Sequence, residues 1–308
     1  LGLDLRTKLA ESFSLSRIEQ VEAQHSTDGT VKCAFQVDGD AHRVVEGVLI
    51  PTSKRLTACI SSQVGCSLAC TFCATGRLKL LKNLTAGEMY DQVEMLNALA
   101  HQQHGKGLSN IVYMGMGEPL LNYRNVIDSV ERITGTPGLA MSPKRITLST
   151  VGLPKMIKKL ADDGVKFNLA VSLHSARDSV RSSIMPINDV SPIADLRESL
   201  EYWYRATKRR ITFEYVVWKN VNDQPEDIQA LVDLCKRIPC KVNLIEYNAI
   251  GDPQFQQADE AALEAYITAL DAIGVTAKVR RSRGRDIDAA CGQLANKKLP
   301  AELQETEA

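Results

Sequence analysis

Cys66, Cys70 and Cys73 stand within eight residues in the stretch SSQVGCSLACTFCATG (residues 61–76), which holds no fourth cysteine. Zinc ribbons pair their cysteines as two CxxC knuckles, and disulfide frameworks spread theirs over a small domain. A CxxxCxxC triplet suits neither. Iron–sulfur clusters are normally held by four cysteines, so three thiolates imply a cubane cluster whose fourth iron is left open to bind a substrate. Two blander readings stand beside it: a zinc site completed by a distant His or Cys, and a chance grouping.

Other polar residues fall at places that strands and loops would bring to one face. The turn YMGMGEPLLN places Gly115, Gly117 and Glu118 after an apolar run, where glycines permit close backbone approach. Ser149 in TLSTVG, Ser172, Leu173 and His174 in VSLHS, and Asn248 in LIEYNAI each end a later apolar run. Taken singly they read as loop caps or core polar groups; together they line one side. Cys59 precedes the triplet by seven residues, and Cys291 follows the basic run Lys278, Arg280, Arg281, Arg283 and Arg285. A buried small hydrophobe is the ordinary fate of a free cysteine. Nearby positive charge argues otherwise for Cys291, because it lowers a thiol's pKa. The same run reads equally as a phosphate-contacting surface or a solvated strand edge.

The elements that must position these residues alternate. Strands are predicted at 57–60, 110–114, 145–150, 167–172, 211–217, 241–247 and 276–280, with helical patterns between them. Thr85 and Glu88 form a capping-box signature opening a helix that runs to about Ala100. Pro154 suits a first helical turn, Ser191-Pro192 reads as an N-cap followed by an N1 proline, and Asp259 as the N-cap of a last helix. Strand–helix repetition implies parallel strands with right-handed crossovers. The expected fold class is α/β, a partial (β/α)6 TIM-like barrel whose functional residues gather where strands end. Residues 1–52 read instead as a small β-rich extension with turn signals at Asp28-Gly29 and Asp38-Gly39. The barrel is expected over 53–285 and a C-terminal segment over 286–308, its charged tail after Leu294 loosely ordered.

Bulk properties narrow the function. Net charge is zero, with 37 basic and 37 acidic residues, which argues against coating nucleic acid by charge alone. Eight cysteines in 308 residues are too sparse for a disulfide scaffold, and clustered thiols in a reducing compartment more often bind metal or do redox chemistry. No apolar run approaches the roughly 20 residues that span a membrane, and no signal segment opens the chain. A cytoplasmic location is the expectation. The chain opens on Leu1 rather than Met, which reads as processing or a fragment.

The triplet, with Phe72 before its last cysteine, resembles the signature of the radical S-adenosylmethionine (SAM) superfamily. That likeness implies a [4Fe-4S] cluster on Cys66, Cys70 and Cys73. It also implies SAM bound by Gly117, Glu118, Ser149, Ser172, Leu173, His174 and Asn248, with Glu118 accepting from its ammonium group. The stretches CISSQVGCSLACTFCATG, GMGEPLLN, SLHS, MPIN and RGRDIDAACGQL, collinear from about Thr27 to Leu294, further resemble the RlmN/Cfr family of adenosine RNA methyltransferases. The resemblance implies two SAM molecules per turnover. The first methylates Cys291; the second yields a radical that activates the S-methyl group toward the electron-poor ring carbon. Cys59 then forms a transient disulfide with Cys291 that releases the base, and Glu46 removes the ring proton.

Pro119 in GMGEPLLN favours the C2-methylating branch over the C8-methylating, antibiotic-resistance branch, which typically has alanine there. Implied substrates are an adenosine in the peptidyl transferase region of large-subunit rRNA and the adenosine 3′ of the anticodon in some tRNAs. Further expectations are an electron donor such as flavodoxin, a monomer, and the end of a helical accessory domain within residues 1–52. Rival readings are a radical SAM enzyme on a small molecule or peptide, which would not need Cys59 and Cys291, and an iron–sulfur or zinc RNA-binding protein without catalysis.

Overall fold

A short helix α1 (Leu3–Ser12) precedes three antiparallel strands, β1 (Ile18–His25), β2 (Val31–Val37) and β3 (Asp40–Pro51), in the computed structural model, which describes residues 2–12 and 17–296. Asp38 and Gly39, between β2 and β3, both take positive φ (55° and 68°). That is the backbone a tight hairpin needs if its twist is to match the strands. β3 pairs antiparallel with β4 (Leu56–Ile60), so these strands continue into one ten-stranded sheet with the rest. β5 (Gln63–Val64) and β6 (Lys82–Asn83) form a separate two-stranded clip around the cysteine loop.

From β4 onward every neighbour is parallel: β4, β7 (Asn110–Tyr113), β8 (Ile146–Thr150), β9 (Asn168–Ser172), β10 (Ile211–Val216), β11 (Cys240–Ile245) and β12 (Ala277–Arg280). The crossovers are α2 (Ala86–His104), α3 (Tyr123–Thr134), α4 (Pro154–Asp162), α5 (Asp178–Ile184) with α6 (Ile193–Thr207), α7 (Pro225–Cys235) and α8 (Glu260–Asp271). Six helix-bearing crossovers on an open sheet make the partial α/β barrel that the alternating pattern predicts. Each predicted strand lies within two residues of an observed one.

Local chemistry explains most helix starts. The Thr85 hydroxyl accepts from Glu88 N–H (3.3 Å) and the Glu88 carboxylate accepts from Thr85 N–H (2.8 Å), a complete capping box for α2. Gly105 ends that helix with φ 67°. The expected Ser191 cap shifts by one: α6 begins at Ile193, with Pro192 in the N-cap position. Its Ile193 N–H is taken by the Asp178 carboxylate (2.9 Å), a tertiary acceptor no local pattern reveals. Asp259 does precede α8, but its side chain pairs with Lys219 (3.0 Å) rather than capping the helix.

Strands covered on both faces read as near-continuous apolar runs, and β10, ITFEYV, is buried at every position. That burial carries Thr212 and Glu214 inward with the apolar residues. Trp203 of α6 is fully buried and belongs to the main apolar core. Cys33, Cys235 and Cys240 are buried and free. The tail expected to be loosely ordered is described only through Asn296; residues 297–308 lie outside the described residues. Among the described residues no helix is long and apolar enough to cross a membrane.

Candidate functional site

The C-terminal ends of the parallel strands open into one cavity, the place where sites gather in folds of this kind. β4 delivers the cysteine loop, β7 the Gly115–Glu118 turn, β8 Ser149, β9 Ser172 and His174, and β11 Asn248. Cys66, Cys70, Cys73, Gly117, Glu118, Ser149, Ser172, His174, Asn248 and Cys291 all line this cavity. Leu173 does not: its side chain is fully buried, its N–H bonds Glu214 O (3.0 Å), and its carbonyl faces Arg181. Cys59 and Glu46 are buried behind the wall.

The cysteine loop is pinned at both ends. The β5–β6 clip sits beside Gly65, whose φ of 76° brings the backbone so close to Lys79 that a Cβ would stand 1.9 Å from its carbonyl oxygen. Further on, Ala74 N–H bonds Gly292 O (2.7 Å) and Thr75 Oγ1 bonds Leu294 O (2.6 Å). The loop is thereby stitched to the segment that carries Cys291. Asn248 Nδ2 donates to the Cys291 carbonyl (3.3 Å), and Gln293 Nε2 to Ala249 O (3.0 Å).

Electrostatics follow burial. Burial pushes the Cys66 thiol up to about 11 and raises Cys70 and Cys73 as well, each reinforced by neighbouring cysteines. Burial likewise pushes Cys59 up to about 12; proximity to Cys291 adds to this, while Arg280 and a Met114 backbone bond oppose it. Glu118 is raised by burial, with its carboxylate accepting from Leu120 N–H (3.0 Å) and Val151 N–H (2.9 Å). Burial, aided by the Arg181 charge, holds His174 down to about 3. Its Nδ1 accepts Val216 N–H (3.1 Å), so the neutral ring carries its proton on Nε2. Phe72 meets that ring edge-on at 4.7 Å, and Trp218 meets it edge-on at 5.8 Å.

Several contributors are invisible in local sequence. Arg280, part of a run that reads as a phosphate surface or strand edge, instead lines the cavity, with Nη1 3.4 Å from Glu214 and 3.8 Å from the Met114 sulfur. The charge of Cys291, then of Glu214 and Cys59, favours its protonated form. Arg283 and Arg285 turn away to Asp28 (3.9 Å) and Glu246 (2.6 Å). Lys32, the second residue of β2, pairs with Glu46.

Among the described residues no three His, Cys, Asp or Glu side chains are arranged to hold a single metal ion. A cubane asks for something else, one thiolate on each of three irons, and three thiols around one cavity meet that demand. Trp218 Nε1, Tyr247 Oη and Asn248 Oδ1 in the same wall are buried without a partner, which suits a polar ligand beside the thiols. The residues fit both cofactors.

Comparison with known proteins agrees with this geometry. Residues 60–235, more than half of the chain, match the radical SAM superfamily. A protein of Flavobacterium johnsoniae named as a probable dual-specificity RNA methyltransferase RlmN is 60% identical over 293 residues, covering 95% of this chain and 83% of its own. A Flavobacterium psychrophilum protein of the same name is 58% identical over 295 residues, 96% of this chain and 84% of its own. The crystal structure of a radical SAM methyltransferase from Sphaerobacter thermophilus superposes with a TM-score of 0.91 at 40% identity, covering 96% of this chain and 86% of that one.

Proposed function

This chain belongs to the radical SAM superfamily and, within it, to the RlmN family of RNA methyltransferases; on that footing we propose that it methylates C2 of adenosine by way of an S-methylated Cys291. The proposed substrates are the peptidyl transferase region of large-subunit rRNA and the position 3′ of the anticodon in tRNA. The observation that supports this reading best is the pair of hydrogen bonds joining Ala74 and Thr75 of the cysteine loop to Gly292 and Leu294. A small-molecule radical enzyme has no use for a cysteine held there.

In this reading Cys66, Cys70 and Cys73 hold a [4Fe-4S] cluster, and Gly117, Glu118, Ser149, Ser172, Leu173, His174 and Asn248 hold SAM, two molecules per turnover. When bound, the cofactors supply the methyl group and the one-electron chemistry that an electron-poor ring carbon demands. The residues do the rest. Glu118, its carboxylate steadied by Leu120 and Val151 N–H groups, accepts from the SAM ammonium, and Leu173 contributes backbone only. Cys291 receives the methyl group on sulfur and carries its carbon to the adenine. Glu46 takes the ring proton. Cys59 attacks the Cys291 sulfur, breaking its bond to the transferred carbon and leaving a disulfide that two electrons and two protons from a cellular thiol reductant must return to thiols. The one-electron chemistry draws on a donor such as flavodoxin. The chain acts as a monomer in the cytoplasm.

The test is anaerobic reconstitution with iron and sulfide, followed by incubation with reductant, SAM and rRNA-fragment or tRNA transcripts. Mass spectrometry then reads the RNA nucleosides and the peptide containing Cys291. The expected outcome is 2-methyladenosine together with methylated Cys291, and neither from Cys66→Ala. Finding 8-methyladenosine would overturn the C2 assignment, and an unmethylated Cys291 the route.

A further inference from the structure

Arg181 is fully buried on α5, the short helix behind the cysteine loop, and its hydrogen bonds go only to neutral acceptors. Nε donates to Leu173 O (3.1 Å), Nη1 to Asn188 Oδ1 (2.8 Å) and Nη2 to Val151 O (2.5 Å). Among the described residues no carboxylate forms an ion pair with it. Asp178, three residues earlier on the same helix, is linked to it only through Asn188, whose amide donates to Asp178 Oδ1 (2.9 Å). A buried guanidinium without an anion is costly and ordinarily finds a charge partner. Each of its three nitrogens has an acceptor here, but its charge has no counter-ion.

The place of that charge is informative. The end of α5 grips the cysteine loop itself: Thr71 N–H and Oγ1 both bond Ile184 O (3.1 and 3.4 Å), next to Cys70. Ile184 and Met185 pack in one apolar cluster with Cys70. Burial lowers Arg181 to about 10, and the foremost opposing influence is Cys70, ahead of Asp178. Arg181 also braces two loops of the cavity, since Val151 N–H holds Glu118 while Leu173 precedes His174. The MPIN stretch finds its use in the same network, because Asn188 orients the guanidinium.

We infer that Arg181 is a positioning residue whose buried charge serves as counter-ion to the thiolate-bound cluster and keeps its reduction within reach of the cell's donors. The inference rests on the assignment of the cluster to Cys66, Cys70 and Cys73. Reduction adds one negative charge to the site, and a fixed cation in a low-dielectric surrounding favours the state that carries it. Asn188 bridges the cation and Asp178, so that no carboxylate pairs directly with Arg181.

The experiment is a redox titration, read by electron paramagnetic resonance, of the full chain reconstituted anaerobically without RNA. Arg181→Gln should shift the midpoint potential to more negative values, and Arg181→Lys, which keeps the charge but loses the three-way brace, should stay nearer the wild type. Asp178→Asn, which retains an acceptor oxygen for Asn188 and Ile193, should shift it the opposite way. That variant decides the matter if Arg181→Gln does not fold. Unchanged potentials in folded, cluster-loaded variants would make Arg181 a brace only and overturn the inference. Failure of the wild type to bind any cluster would overturn the cysteine assignment and this inference with it.

Discussion

Lys32 Nζ stands 3.0 Å from Glu46 Oε1, and both side chains are only 3% exposed. The second carboxylate oxygen of Glu46 accepts the backbone N–H groups of Ala295 (2.9 Å) and Asn296 (3.3 Å). One buried carboxylate therefore ties β2 to the segment just past Cys291. Removing one member of a buried pair strands the other charge, which costs about 3–5 kcal/mol. Lys32→Met should lower stability by that order in urea denaturation, and the double variant Lys32→Met/Glu46→Leu should recover part of it. Single-variant losses that simply add in the double variant would mean that the pair is not coupled.

Cys59 lies near enough to Cys291 for that charge to raise its thiol further, although 231 residues separate them in the chain. If Cys59 resolves the intermediate, Cys59→Ala should still accept methyl on Cys291 and still attack adenosine, but should stall with RNA covalently held. Denaturing electrophoresis of the reaction should then show a protein–RNA adduct sensitive to nuclease. Free 2-methyladenosine at the wild-type rate from this variant would remove Cys59 from the reaction.

The legible parts of the molecule were those whose chemistry is local. The cysteine triplet, the Thr85–Glu88 capping box and the Asp38-Gly39 turn each carry their cause within a few residues. Arg181 was not legible, because its acceptors come from Leu173, Val151 and Asn188 on three separate loops. Lys32 lies in β2, where burial of both faces hides a charge among apolar neighbours. Arg280 belongs to a run whose members go different ways once β12 and the following turn are built. The Ser191 cap failed for a related reason, since Asp178 supplies the acceptor from another helix.

His174 should make the protein acid-sensitive above the carboxylate range. Its folded pKa lies near 3, depressed by burial and then by Arg181, against 6.5 for the free side chain. Below pH 6.5 the unfolded chain binds a proton that the folded chain refuses, so stability is present above that pH and falls continuously down to about 3. At pH 5 the loss attributable to this ring is about 2 kcal/mol. Urea midpoints at pH 7.5 and pH 5 should therefore differ more for the wild type than for His174→Asn. Identical pH differences in the two proteins would mean that the ring is protonated in the fold.

Gly65 offers the sharpest test of how the cysteine loop is held. Its φ of 76° is left-handed, and an added Cβ would stand 1.9 Å from the Lys79 carbonyl oxygen and 2.7 Å from its carbon. Both neighbours are backbone, so no side chain can swing aside. The β5–β6 clip would have to open, and it is the clip that returns the chain to α2 after Cys66, Cys70 and Cys73. Gly65→Ala should therefore lose iron and sulfide binding while α2, independently capped by Thr85 and Glu88, keeps its helix. Iron content after reconstitution, read beside far-ultraviolet circular dichroism, separates the two effects. Full cluster loading in Gly65→Ala would show that the loop does not depend on this close approach.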